Sequence, residues 1–408
     1  MTTIKQFQTN PYAKNWQARI LSVSGNRLVL DQTIFAPEAG GQSCDLGAIR
    51  LMDTDETASV TYVGETNGIL EHTADSLSPG FVPGAEVLLS LDWARRFDHM
   101  QNHLAEHILS GILYSRFHIE NKGFHLGATL STLDADTPDL SPEQLSQLED
   151  QANQVIYQAL PVEIRILEKK EDANAFPLRK PLKVEEDISV VTIPGVDCVA
   201  CCCPHPATTA EVGLVKILRA EHYKGMTRVT FVAGARALSD YQAKHQIVSQ
   251  LNRQFSADEA TLLDKIRIQT EKAEKTKQSL YAMKEVFSKD QALRLLNKQR
   301  EAALANGRQM PVTGHFPELS LDDLKRIAKY ALKETDQLVI LSTDQSFAVF
   351  LTHSGKSSLR CGQLVREFAV GFGGKGGGSD TQAQALFREP SLRDNFIDIL
   401  LAQLKALA

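Results

Sequence analysis

Apolar and polar positions change period several times along the chain. Up to about residue 90 the runs are short and strand-like. Arg19-Ile-Leu-Ser-Val23 and Arg27-Leu-Val-Leu30 are split by Ser-Gly-Asn, a hairpin signal. Ala48-Ile-Arg-Leu-Met52 and Ser59-Val-Thr-Tyr-Val63 follow, punctuated by turn residues, so a small barrel or sandwich is predicted. From 91 to about 235 helical and strand patterns mix. Met100, Leu104, His107, Ile108 and Ile112 share one helical face between Trp93 and Phe117. Ser141-Pro142-Glu143-Gln144 opens a second helix, expected to run to about Ala159. Strands are expected at Val162–Leu167, Ile188–Ile193, Leu214–Ala220 and Thr227–Ala233. Such a mixture is an α+β domain.

Residues 236–308 are helical throughout. The capping-box pattern Ser256-Ala257-Asp258-Glu259 predicts a new helix starting there, and Asn306-Gly307 a stop. Two antiparallel helices, a long hairpin, are the simplest reading. Residues 309–408 read as a small α/β unit. Strands are expected at Leu338–Ser342 and Phe347–Thr352, and helices at Leu321–Leu332 and Arg393–Leu407. A Gly-rich segment, Gly371–Gly378, lies between them. The expected organisation is thus a barrel (1–90), an α+β domain (91–235), a helical hairpin (236–308) and a C-terminal domain (309–408).

The 408 residues suffice for several cores, and a net charge of −6 carries no global nucleic-acid signature. Charge becomes informative only locally: residues 236–308 hold 14 Lys/Arg against 9 Asp/Glu. On charge alone a solvated coiled-coil surface is the preferred reading. The polar start of the chain does not read as a signal peptide, and no apolar run is long enough for a membrane helix. Of six cysteines, Cys198, Cys201, Cys202 and Cys203 crowd one segment, apart from Cys44 and Cys361. That is a poor disulfide framework and fits metal-binding or redox-active thiols in a reducing cytosol.

The chemistry concentrates in two segments. His99, His103 and His107 stand one helical turn apart, and imidazoles at i and i+4 can share a metal ion. Alone, such a pair is also what core or surface histidines produce. The second segment, Asp197-Cys-Val-Ala-Cys-Cys-Cys-Pro-His205, sets Cys201 and His205 four apart. His103, His107, Cys201 and His205 would form a His₃Cys zinc site, with Cys198 or Cys202 as spare thiols. Four protein ligands ordinarily mean a closed structural site, which leaves catalysis open. A competing motif overlaps: His103-Leu-Ala-Glu106-His107 is H-x-x-E-H, a metallopeptidase signature with Glu106 as base and Glu185 or Glu186 as third ligand. It leaves the Cys/His cluster without a role.

Several segments together resemble the alanyl-tRNA editing family, free-standing relatives of the alanyl-tRNA synthetase editing domain. Met100-Gln-Asn-His103-Leu-Ala-Glu-His107 is similar to the family's Met-x-x-His-Thr-Ala-x-His. Cys201-Cys-Cys-Pro-His205 followed by Thr209-Ala-Glu211-Val-Gly213 is similar to Cys-Gly-Gly-Thr-His followed by Thr-Gly-Glu-Ile-Gly. Phe35-Ala-Pro-Glu38-Ala-Gly-Gly-Gln42, with Asp45-x-Gly47 after it, resembles Phe-Tyr-Pro-Glu-Gly-Gly-Gly-Gln. Arg228-x-x-Phe231-x-x-Gly234 also fits, and Gly373-Gly-Lys375-Gly-Gly-Gly378 resembles a Gly-rich loop of the synthetase's C-terminal extension. The departures are Leu104 for Thr, Ala36 and Ala39 in the Gly-rich motif, and Cys202-Cys203-Pro204 for Gly-Gly-Thr.

The resemblance implies zinc-dependent hydrolysis of the ester joining serine or glycine to alanine tRNA, in the cytoplasm. With no activation domain among these segments, deacylation without charging is expected. It implies zinc on His103, His107, Cys201 and His205, and Gln42, Glu38, Thr209 and Glu211 as candidate catalytic or positioning residues. Glu106 and His99 would orient the ligand histidines. Gly373, Gly374, Lys375, Gly376 and Gly377 would contact tRNA or serve a homodimer. A tRNA-binding factor with a structural zinc is the non-catalytic alternative.

Overall fold

The computed structural model describes residues 3–182, 186–307 and 309–407. It divides into two compact units, Met1–Gln250 and Leu251–Ala408. The fold is mixed α+β and opens with a barrel.

Six strands close that barrel in the order Asn15–Ser24, Arg27–Leu30, Ile69–Ala74, Thr57–Thr66, Gly47–Leu51, Glu86–Leu91, with antiparallel pairs. Inward positions alternate with outward ones, as a pleated strand requires. Leu28, Leu30, Ile49, Val60, Val63, Leu70, Val87 and Leu89 thereby fill the interior. Ile69–Ala74 and Glu86–Leu91 were not among the expected strands. Their apolar residues alternate over only a few positions, which gives little signal until partners pair on both sides.

The chain leaves the barrel through the helix Trp93–Phe117. Asp92 caps it by accepting from the Arg95 amide at 3.1 Å, and His118 ends it in the left-handed conformation with φ 55°. A cap of this kind contributes about 1 kcal/mol. The helix is buried without a break from His99 to Leu113. One face packs, with the helix Pro142–Tyr157, on a four-stranded antiparallel sheet. That sheet runs Val215–Tyr223, Met226–Ala233, Ser131–Ala135, Asn121–Leu126. Leu104, Ile108, Leu133, Val229 and Phe231 meet in this core. A three-stranded sheet of Glu163–Lys169, Glu186–Ile193 and Asp197–Ala200 completes the region, with the helix Ala235–Phe255 at its end.

One ion pair joins barrel and helix. Arg96 and Asp45 are both fully buried and bonded through Nε at 3.0 and 3.1 Å, as well as through Nη2. Arg96 also donates to the Ile34 and Pro11 carbonyls at 2.5 and 3.1 Å, and Asp45 accepts from the Ala36 amide at 2.6 Å. The desolvation of both charges is thus met by surrounding hydrogen bonds.

The second unit holds the helix Leu262–Asn306 and a five-stranded sheet ordered Val312–His315, Val339–Ser342, Ala348–Thr352, Gln382–Leu386, Lys375–Gly378. Its first pair is parallel and the others antiparallel. Helices Leu321–Ala331 and Pro390–Leu407 supply apolar faces to its two cores. Two expectations need correction here. The long helix begins at Leu262, not at the Ser256 capping pattern. Ser256 has φ 48° and ends the preceding helix, while Asp258 accepts from Thr261 to form the intervening turn. The Gly-rich segment is not wholly a loop, because Lys375–Gly378 is an edge strand paired with Gln382–Leu386. Glycine has little strand preference, so only that pairing reveals it. No described helix is long and apolar enough to cross a membrane.

Arg96→Leu would strand the Asp45 carboxylate in the interior. It is expected to lower unfolding stability by about 3–5 kcal/mol, measurable by denaturant titration.

Candidate metal centre

The helix Trp93–Phe117 presents His103 and His107 one turn apart, with stacked rings 5.2 Å between centroids. The strand Asp197–Ala200 pairs with Glu186–Ile193, and the segment after it turns back under the helix. This brings Cys201 and His205 against the histidine pair. Cys201 Sγ lies 3.4 Å from His103 Nε2 and 3.7 Å from His205 Nε2, and the His205 and His107 Nε2 atoms are 3.2 Å apart. All four ligand atoms lie within 4.8 Å of one another, and three of the four residues are buried. Cys198 bonds Thr192 instead and Cys202 is exposed, so neither joins the cluster.

The donor set fits a tetrahedral zinc ion. Metal–nitrogen arms of about 2.0–2.1 Å and a sulfur arm of about 2.3 Å imply edges of roughly 3.3–3.6 Å, and the observed separations fall around that range. Three imidazole lone pairs and a thiol aimed at one point repel unless a cation or protons lie between them. Burial alone would push His107 down. Its bonds to Asp197 and Cys201 outweigh that and raise it to about 10. His205, with no carboxylate partner, is pushed down to about 4 by burial. The Cys201 thiol is held well below its ordinary value, first by its bond to Cys203 and then by the facing histidines. A divalent cation takes the place of the protons such a cluster would otherwise hold.

The ligand histidines are oriented from behind. His103 Nδ1 meets Gln42 Oε1 at 2.7 Å, and His107 Nδ1 meets Asp197 Oδ2 at 3.0 Å. An amide or carboxylate oxygen there accepts a hydrogen bond from Nδ1–H, which leaves the Nε2 lone pair free as a ligand. Arg179 holds Asp197 in turn, through Nε at 2.6 Å and Nη2 at 3.2 Å. Two glycines make these approaches possible. Gly41 has φ 82°, and a Cβ there would sit 2.2 Å from the Phe124 carbonyl oxygen, so Gln42 can dock beside the strand Asn121–Leu126. A Cβ on Gly111 would sit 2.3 Å from the Val196 carbonyl oxygen, where the chain carrying Asp197 passes the helix.

The other candidates are placed as follows. Glu38 is exposed, near the Tyr62 hydroxyl. Thr209 is buried, accepting from the Leu160 amide and donating to the Val155 carbonyl, both at 2.9 Å. Glu211 accepts from Tyr12 at 2.8 Å and from the Ala207 and Thr208 amides. These bonds hold the loop after His205. Glu106 and His99 do not orient the ligand histidines, contrary to expectation. Glu106 bonds Ser110 and Asn121, and His99 Nδ1 is buried without a partner. Gln42 and Asp197 do that work. Sequence reading considered Gln42 for substrate and missed Asp197, whose only signal was its place four residues before Cys201. Leu104 stands in the hydrophobic core. Glu185 and the Glu186 side chain, third-ligand candidates of the peptidase motif, lie outside the described residues.

The cluster opens on a cavity of about 1090 Å³. Its wall includes Gly40, Asn121, Phe124 and Cys203, with Lys5, Lys122, Arg179 and Lys180 as cationic groups.

Parts of the chain that carry these residues match known protein families. The family model for class II (A) tRNA synthetases matches residues 2–95, which include Gln42. The model for the second additional domain of threonyl and alanyl tRNA synthetases matches residues 188–230, which include Cys201 and His205. The chain is 28% identical to the alanine–tRNA ligase of Pyrococcus abyssi, over 97% of this chain and 43% of the ligase. It is 26% identical to the alanyl-tRNA editing protein AlaX-L of Pyrococcus horikoshii, over 98% of each. It is 33% identical to the alanyl-tRNA editing protein Aarsd1 of Mus musculus, over 55% of this chain and 53% of that protein. The chain therefore spans about two-fifths of that ligase and nearly all of AlaX-L. The chain is thus similar over nearly its whole length to an alanyl-tRNA editing protein.

Cys201→Ala and His205→Ala are expected to yield protein that has lost nearly all bound zinc, as read by elemental analysis. Gln42→Ala and Asp197→Asn should weaken zinc binding about 10- to 100-fold in chelator competition. Thr209→Val should leave zinc affinity unchanged but lower unfolding stability by about 1 kcal/mol, because two half-buried backbone groups, the Leu160 amide and the Val155 carbonyl, lose their partner.

Proposed function

We propose that this protein hydrolyses the ester linking a wrongly attached amino acid, serine or glycine, to alanine tRNA, using Zn²⁺ held by His103, His107, Cys201 and His205. The observation that carries the reading is the convergence of these four donors, three of which (His103, His107 and Cys201) line a cavity large enough for an aminoacylated terminal nucleoside. The names and coverage of its relatives support it, above all the nearly full-length match to an editing protein. Such an enzyme works where translation does, in the cytoplasm.

When bound, zinc supplies Lewis-acid polarisation of the ester carbonyl or lowers the pKa of water. The chain's own residues supply the setting. Gln42 and Asp197 fix the tautomers of His103 and His107. Lys5, Lys122, Arg179 and Lys180 line the cavity; the first three are held in ion pairs, so Lys180 is the group we assign to a phosphate of the tRNA end. Phe124 offers an apolar face beside His103, 5.2 Å between ring centroids. Serine is distinguished from alanine by its hydroxyl, and a polar pocket rejects the substrate that leaves its groups unpaired. Glu38, Thr209 and Glu211 then act through the loops that flank the ligands. In the second unit, Lys375 and the backbone of Gly373, Gly374, Gly376 and Gly377 contact the tRNA backbone or a second copy of the chain.

The four-ligand set favours one second reading, a tRNA-binding factor with a closed, structural zinc. Deacylation separates the two. Purified zinc protein is expected to release serine or glycine from alanine tRNA while sparing Ala-tRNA, and His103→Ala should abolish release. Zinc-replete protein that binds the tRNA and hydrolyses none of the three esters would favour the binding factor.

A further inference from the structure

The helix carries a carboxylate that the ligand set does not use. Glu106 lies between His103 and His107 in sequence, is 6% exposed and lines the same cavity. Ser110 Oγ and Asn121 Nδ2 both donate to its Oε1, each at 2.5 Å, and Asn121 also donates to Ser110 Oγ at 2.9 Å. One oxygen is thus pinned twice, while among the described residues no donor meets Oε2.

Among the described residues no cation forms an ion pair with Glu106, although Lys180 on the same cavity wall is close enough to feel its charge. The Arg179 guanidinium is committed to Asp197 by two bonds. Lys122 is tied to Glu120 at 2.6 Å and Asp136 at 3.3 Å, and Lys5 to Glu65 at 2.7 Å. Glu65, the other acid of the cavity wall, is satisfied by that lysine. A carboxylate this buried is costly without a positive partner. An aminoacyl ester brings one, because its α-ammonium group sits one carbon from the scissile carbonyl.

We propose that Glu106 Oε2 receives the α-ammonium group of the aminoacyl ester and so sets the position of the carbonyl beside the ligand cluster. The assignment rests on the editing reading above. It differs from the peptidase role, in which this carboxylate would take a proton from water. The family motif leaves this position open, so the anchor is a property of this chain. Glu106 acts here as a binding and positioning residue.

The test compares Ser-tRNA with N-acetyl-Ser-tRNA, both on alanine tRNA. Acetylation removes the positive charge and leaves the ester intact. Wild-type protein is expected to discriminate against the acetylated ester by about 10- to 100-fold in kcat/KM, the worth of one charge-assisted hydrogen bond, mainly through KM. Glu106→Gln, which keeps the Oε1 acceptor, should raise KM for Ser-tRNA and bring the discrimination close to one, with zinc content unchanged. Glu106→Asp should restore part of it. Unchanged discrimination in Glu106→Gln, or equal loss of kcat on both esters, overturns the proposal, the latter in favour of proton transfer. Wild-type protein that treats both esters alike overturns it without any variant. Hydrolysis of neither ester by wild type would instead remove the editing reading on which it rests.

Discussion

Everything at the site depends on keeping one polar-studded helix inside the protein. Between His99 and Leu113 the helix Trp93–Phe117 exposes nothing, although it carries three histidines, Gln101, Asn102, Glu106 and Ser110. Burial of so many polar groups is tolerated because most have partners, His99 Nδ1 being an exception. Gln42 serves His103 and Asp197 serves His107, Ser110 and Asn121 serve Glu106, and Asn102 accepts from the Ala233 amide. Barrel, four-stranded sheet and Cys/His segment each supply some of these partners. The helix is therefore the common wall on which they must agree, and the Arg96–Asp45 pair sets its first turn against the barrel.

This arrangement explains why the metal ligands come in two distant pairs. A helix offers two imidazoles on one face cheaply, but a third on the same face stands another turn, about 6 Å, further along the axis. The segment after Asp197–Ala200 contributes the missing pair and, in the same pass, the carboxylate that orients His107. Ligand and orienting group travel together on one piece of chain. The close pass at Gly111 ties their position to helix packing. The Gly-Gly-Gln turn of the barrel does the same for His103 from the opposite side.

Legibility in the sequence followed the range of the interaction. The helix Trp93–Phe117 was readable to the residue, because its apolar spacing and its ends are local. The Ser141 cap was readable for the same reason, since its partner Gln144 is three residues away. Ser256 shows the limit of such signals. Its motif was local and plausible, yet the residue ends one helix and the next starts only at Leu262. Strands whose alternation is short, such as Ile69–Ala74, Asn121–Leu126 and Gln382–Leu386, were missed. Their identity rests on neighbours far along the chain.

What the sequence by itself determined was the donor chemistry: imidazoles at a four-residue helical spacing, a Cys and a His four apart, and motifs ordered like those of a known editing family. Each of these is a property of residue type and short spacing, which survives without knowledge of the fold. What only the tertiary structure decided was which groups stand behind the ligands. Gln42 reaches His103 across 61 residues and Asp197 reaches His107 across 90. The sequence marked Glu106 and His99 for that task because they sit beside the ligands on the helix. Glu106, one residue before His107, is turned about 100° away from it, and His99, a full turn before His103, makes no bond to its ring nitrogens. Only chain folded back from elsewhere can meet them.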